Sequence, residues 1–236
     1  MLRTILWFGY FWGSLISYIP PYLKLGKMTE SEQQIAAFKR AKKWSQNLLK
    51  IAGTEITVEG LENVPNDVPV LVIGNHQSNF DIPIVLAIMP NPFGFMAKIE
   101  LSKMPFVNGW MRALKCVFMD RSDIRQQVRS IGEGSEILKS GSSLVLFPEG
   151  TRSKTGELGE FKAGGLKLAT KSKTLILPIA IDGSIRIMQR DSLIIHPAKV
   201  KVTILEPYAL ESKDTVVEMA IIKDRIEKVL KDNEVE

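Results

Sequence analysis

Cysteine occurs once and histidine twice in 236 residues. The lone cysteine, Cys116, excludes an intrachain disulfide, and no CxxC or His/Cys cluster offers the ligand spacing of a metal site. A reducing, cytosolic setting is the default expectation. No GxSxG elbow is present, so the usual signature of a serine nucleophile is missing. Internal repeats and low-complexity tracts are absent too. One apolar run, Leu2 to Ile19, includes Arg3 and is broken by Pro20-Pro21. It is borderline against the ~20 residues that a spanning helix needs. No small-x-small cleavage pattern follows it, which argues against a secretory signal.

What is present is globular in composition. With 45% hydrophobic and 24% charged residues, a chain of this length buries a full core in one domain. The net charge of +5 is concentrated at the start: residues 1 to 60 hold eight Lys or Arg against four Glu. A basic leading segment on a near-neutral body expects an anionic surface as partner. Seven aromatics between residues 7 and 22, from Trp7 to Tyr22, favour acidic lipid over nucleic acid, and no nucleic-acid partner is expected. The favoured reading of this first segment is a helix lying in the membrane interface, with a spanning helix and plain core packing as alternatives.

A second helix is marked by Thr29 with Glu32 three residues on, the pattern of a capping box, and by Gly53 as its stop. Ala37, Ala41, Trp44, Leu48 and Ile51 fall on one face, with Lys39, Arg40, Lys42, Lys43 and Lys50 on the flanks and back. Such a basic amphipathic helix suits docking on the body and membrane contact alike. Residues 1–52 are therefore set apart as a membrane-association segment and 53–236 as the body.

The body alternates strand and helix. Strands are expected at 55–60, 68–74, 93–98, 116–121, 143–148, 174–183 and 199–205. Helices are expected at 82–89, 123–141, 162–172 and 214–232. In 123–141 the apolar stripe is Ile124, Val128, Ile131 and Leu138; in 214–232 it is Met219, Ile222, Ile226 and Val229. This pattern predicts an α/β fold, a sheet with helices on its faces.

His76 sits in GNHQSNFD, where a buried strand ends and a helix begins, the place where α/β folds gather their sites. Asp81 follows five residues later. It suits both the N-cap of that helix and the orientation of an imidazole, and the two jobs can coexist. An aspartate on Nδ1 would leave Nε2 to take a proton from a hydroxyl, worth roughly 10²–10⁴ in rate. That hydroxyl must come from a substrate, since Cys116 lies within an apolar strand and Ser78 reads as a loop or substrate contact. A second cluster, FPEGTRS at 147–153, follows another buried strand and projects Glu149 and Arg152 from a turn made by Pro148 and Gly150. A self-paired surface Glu–Arg is the plain reading of this loop; phosphate contact by Arg152 is the functional one.

NHQSNFD with FPEGTRS resembles the motif pair of the glycerolipid acyltransferases, and the chain is similar to 1-acyl-glycerol-3-phosphate acyltransferases over most of residues 55 to 205. KIELSKMPFVNGW (98–110) with MDR (119–121) matches the family's second block, GEFKAGGLKLA (159–169) the stretch after the third, and ILPIAI (176–181) the fourth, which lines the acyl side. Gly164-Gly165 stands where relatives often carry one glycine. The resemblance implies the glycerolipid acyltransferase fold, with a mixed, largely parallel sheet. It implies His76 and Asp81 as the catalytic pair, and Glu149, Gly150, Thr151, Arg152, Arg121 and Lys162 as substrate-binding residues, with Glu149 near the glycerol hydroxyl. The implied substrates are lysophosphatidic acid and an acyl group on coenzyme A or acyl carrier protein, with no metal and no cofactor. The implied location is the cytoplasmic face of the membrane, peripheral or interfacial. Glycerol 3-phosphate, another lysolipid, or anionic-lipid binding without chemistry are the alternatives.

Overall fold

The structure is a computed structural model that describes residues 1–235. Seven strands form one sheet: β1 (Thr54–Glu59), β2 (Val70–Gly74), β3 (Phe93–Lys98), β4 (Val117–Met119), β5 (Ser143–Leu146), β6 (Leu175–Asp182) and β7 (Ala198–Ile204). Their order across the sheet is β1-β7-β6-β2-β5-β3-β4. The five strands β2 to β6 run parallel, while β7 is antiparallel to β6 and carries β1 parallel beside it. The sheet is thus mixed and largely parallel, as expected.

The helices are α1 (Leu2–Ser17), α2 (Ile19–Leu25), α3 (Glu30–Ala52), α4 (Asp81–Ile88), α5 (Val107–Ala113), α6 (Ile124–Lys139), α7 (Lys167–Ser172) and α8 (Thr215–Val235). They divide by face. In β2, Val70 and Val72 join a core with α1 to α5, while Leu71 and Ile73 join a second core with α6 to α8. The period-two alternation of a strand explains why a run of five apolar or small residues is needed there: both faces are covered.

Three elements differ from the sequence reading. Pro20 and Pro21 open α2 at its first positions, where a missing N–H costs nothing, rather than closing the helix before it. Residues 163–166 form a 3₁₀ turn that leads into α7. In α6 the inward residues are Ser130, Gly134, Ser135 and Leu138, and Ile124 and Val128 are exposed. Small side chains let α6 approach closely: a Cβ on Gly134 would stand 2.6 Å from a methyl of Leu168. Bulk on that face would push the helix off the sheet.

At the N-terminus, α1 docks on α3. Trp7 is buried and its indole N–H donates to the carbonyl of Leu48 at 3.1 Å; the Trp44 N–H donates to Ser14 Oγ at 2.8 Å. Trp7 also lies 5.3 Å from the ring of Phe80, beside the His76 loop, so residues 1–52 share a continuous core with the body. The Thr29–Glu32 capping box forms, and Gly53 ends α3 at φ +70°. Among the described residues no helix is long and apolar enough to cross a membrane.

Candidate active site

β2 and β5 are parallel neighbours, paired Ile73 with Leu146. Their carboxyl ends therefore release two loops side by side, one carrying His76 and the other FPEGTRS. The end of β2 is also tied to β6 by a side chain. Asn75 donates to the Ile181 carbonyl and accepts the Ile181 N–H, both at 2.8 Å, so its amide continues the ladder where the strand stops.

His76 Nδ1 lies 2.7 Å from Asp81 Oδ2. A carboxylate only accepts, so Nδ1 carries a proton, and in the neutral imidazole Nε2 keeps its lone pair. The same Oδ2 accepts the backbone N–H groups of Gln77 at 2.8 Å and Ser78 at 2.9 Å. Asp81 is fully buried and the imidazole is 17% exposed, so the ring faces outward from an anchored carboxylate. Asp81 does not cap its own helix. It is the first residue of α4, and Phe80 holds the cap position without a side-chain bond. The second oxygen, Oδ1, is buried and has no partner among the described residues. The Phe147 ring lies nearly parallel to the imidazole, 4.5 Å away with 16° between planes, and fixes the second rotational degree of freedom of His76.

Glu149 does not make the surface pair with Arg152 that the plain reading of its loop expects. It is buried and forms no ion pair with Arg152 among the described residues. One carboxylate oxygen accepts the His76 N–H at 2.7 Å and the other accepts the Gly159 N–H at 3.2 Å. Both oxygens accept from backbone, so Glu149 clamps the histidine loop, and each oxygen keeps a lone pair for a further donor. Ser153 N–H completes the clamp by donating to the His76 carbonyl at 2.8 Å. Burial pushes the Glu149 carboxyl above its ordinary range, and the two amide donors pull it partly back.

The cations gather around the turn. Gly150 has φ +74°, and a Cβ there would stand 3.4 Å from Lys162 Nζ and 3.5 Å from Arg121 Nη1. Glycine therefore serves both the backbone turn and the close approach of two cations. Burial lowers the Arg121 guanidinium from its ordinary value, and nearby Glu100 partly offsets this. Thr151 is exposed on the same turn. Arg152 Nη1 donates to the Arg190 carbonyl at 3.3 Å.

Ser78 is fully buried and donates to the Met188 carbonyl at 2.8 Å, which makes it a loop anchor and not a substrate contact. Cys116 is buried, its Sγ accepts the Phe95 N–H at 3.3 Å, and burial pushes its thiol up to about 12. It has no thiolate to offer at neutral pH. A cavity of about 840 Å³ opens elsewhere, and its lining, which includes Tyr22, Arg112 and Glu133, contains neither His76 nor Asp81. The sequence reading missed Asn75, the Phe147 stack and Arg190. An amide directly after a buried strand was a usable signal for the first; nothing in the sequence pointed to Arg190.

The acyltransferase family model matches residues 55–182. A chloroplastic 1-acyl-sn-glycerol-3-phosphate acyltransferase of Arabidopsis thaliana is 38% identical over 155 residues, 65% of this chain and 43% of that protein. A probable 1-acyl-sn-glycerol-3-phosphate acyltransferase of Mycoplasma pneumoniae is 36% identical over 157 residues, 64% of this chain and 58% of that protein. The match thus spans about half the length of these relatives. The crystal structure of the 1-acyl-sn-glycerophosphate (LPA) acyltransferase PlsC from Thermotoga maritima superposes with a TM-score of 0.84 at 30% identity, covering 100% of this chain and 98% of that one.

Proposed function

The chain belongs to the acyltransferase family, and on that premise we propose that it acylates the 2-hydroxyl of 1-acyl-sn-glycerol 3-phosphate to give phosphatidic acid. The observation that carries the reading is the 2.7 Å bond from His76 Nδ1 to Asp81 Oδ2 beside a turn where Arg121 and Lys162 converge. The names of the relatives supply the acceptor; the geometry supplies the chemistry.

Nε2 of His76 takes the proton of the acceptor hydroxyl as its oxygen attacks the thioester carbonyl. The buried Asp81 carboxylate holds the tautomer and stabilises the imidazolium that forms. The tetrahedral intermediate collapses, the C–S bond breaks, and the proton passes from imidazolium to the departing thiolate. Products are the diacyl ester and the free thiol of coenzyme A or acyl carrier protein. Arg121, Lys162 and Arg152 supply positive charge for phosphate, and Glu149 keeps His76 in place through its backbone.

Residues 1–52 hold the enzyme on the cytoplasmic face of the membrane in this reading. Leu2, Ile5, Leu6, Trp12, Ile16 and Leu23 are exposed on the outer surface of α1 and α2, while the opposite side of α1 is docked on α3. A helix apolar on both sides suits a site between protein and lipid. Taking the acceptor there avoids drawing its acyl chain into water, at about 0.8 kcal/mol per CH₂. A binding module without chemistry would leave the orientation of His76 by a buried carboxylate without purpose.

The test is incubation of the full chain, on vesicles, with 1-acyl-sn-glycerol 3-phosphate and labelled acyl-coenzyme A or acyl carrier protein. Labelled phosphatidic acid is expected with at least one donor. No transfer from either would refute the reading.

A further inference from the structure

We propose that Arg190 joins Arg152 in binding phosphate beside the His76 loop, adding a guanidinium to the cations already assigned there. The inference rests on the acyl-transfer reading above. Its observation is a reciprocal contact: Arg152 Nη1 donates to the Arg190 carbonyl at 3.3 Å, and Arg190 Nη1 donates to the Arg152 carbonyl at 3.1 Å. The two side chains cross, each held by the other's backbone, and both are partly exposed. Neither forms an ion pair among the described residues.

Both loops are anchored to the catalytic loop. Ser153, next to Arg152, donates its N–H to the His76 carbonyl at 2.8 Å. Met188, two residues before Arg190, accepts from buried Ser78 at 2.8 Å. The crossed arginines therefore stand at a fixed place relative to His76.

Each guanidinium has five N–H donors and spends one on its neighbour's carbonyl. Each guanidinium thus keeps donors free for an anion while its place is set by the neighbour's backbone. The fork geometry fits the oxygens of a phosphate, and charge-assisted bonds of this kind are the strong ones. The reaction also has two phosphate-bearing reactants, the acceptor with its phosphomonoester and the donor with the phosphates of its pantetheine carrier. The alternative is that Arg190 merely braces the 147–153 turn against the 183–196 loop.

The test is steady-state kinetics of Arg190→Gln and Arg190→Lys in the full chain, with thermal melts. KM for 1-acyl-sn-glycerol 3-phosphate is measured at saturating donor, and KM for the acyl donor at saturating acceptor. Loss of a charge-assisted bond predicts that Arg190→Gln raises one KM by about tenfold or more, with kcat and melting temperature little changed. A rise for the acceptor assigns the site to the lysolipid headgroup; a rise for the donor assigns it to the carrier phosphate. Arg190→Lys keeps charge without the fork and should fall between, and it carries the test if Arg190→Gln does not fold. Two unchanged KM values would overturn the inference, as would a fall in kcat with both KM values unchanged, which is the mark of a brace. Turnover by the wild-type chain in the same series separates failure of this site from failure of the activity.

Discussion

His76 is held by three groups that do different work. Asp81 sets its tautomer, Phe147 sets its ring plane, and Glu149 sets its backbone. Asp81→Asn can keep an amide oxygen facing Nδ1, Gln77 N–H and Ser78 N–H, but it removes the negative charge that stabilises the imidazolium. The expected outcome is a fall in kcat of roughly 10²–10⁴ with the fold retained, read from rates and melts together. Retained turnover would leave Asp81 as a loop tether only. Glu149→Gln leaves one of two backbone amides unpaired, which costs about 1–3 kcal/mol of stability. It also removes a titration. A carboxyl raised on folding favours the folded state most at pH below the ordinary glutamate value, and that contribution is lost as the pH rises through the raised value. Melts across the acid range should therefore fall less with rising pH in Glu149→Gln than in the wild type. An unchanged slope would put the Glu149 carboxyl in its ordinary range.

At the scale of elements, the outer surface of α1 is where core packing and the proposed lipid contact can be told apart. Trp7 and Ser14 face inward, and Ile5 and Ile16 are exposed. Ile5→Asp with Ile16→Asp should weaken co-sedimentation with anionic vesicles by more than about tenfold, since each side chain contributes roughly 1.5–3 kcal/mol when buried. The melt should stay unchanged because neither residue packs inside. Undiminished co-sedimentation would move the membrane contact elsewhere. Legibility followed burial on this scale. β2, β5 and β6 were readable because a strand covered on both faces is a continuous apolar run, and α8 because Met219, Ile222 and Ile226 repeat at helical spacing. The inward face of α6 was not, because close packing selects Ser and Gly there and leaves Ile124 outside. α5 was not, because it is seven residues long and starts from Phe106 at φ +61°, a backbone that no propensity announces. The paired motifs of the site were legible as residue types. Their bonding was not: the bond from His76 N–H to Glu149 spans 73 residues and exists only through the pairing of β2 with β5.

For the whole molecule, the sheet and the N-terminal helices form one body. Trp7 packs on Phe80, the Thr4 hydroxyl accepts the Ile195 N–H at 3.0 Å, and the Lys42 ammonium donates to the Met89 carbonyl at 2.6 Å. The same helices that present an apolar outer surface thus also support the loop that carries His76. All of this converges on one proton transfer at His76. The measurement that tests it most directly is acyl transfer to 1-acyl-sn-glycerol 3-phosphate on vesicles by His76→Ala, normalised to folded protein and to bound acceptor. The account predicts a loss of roughly 10²–10⁴ in turnover with acceptor binding retained; turnover near that of the wild type would contradict it.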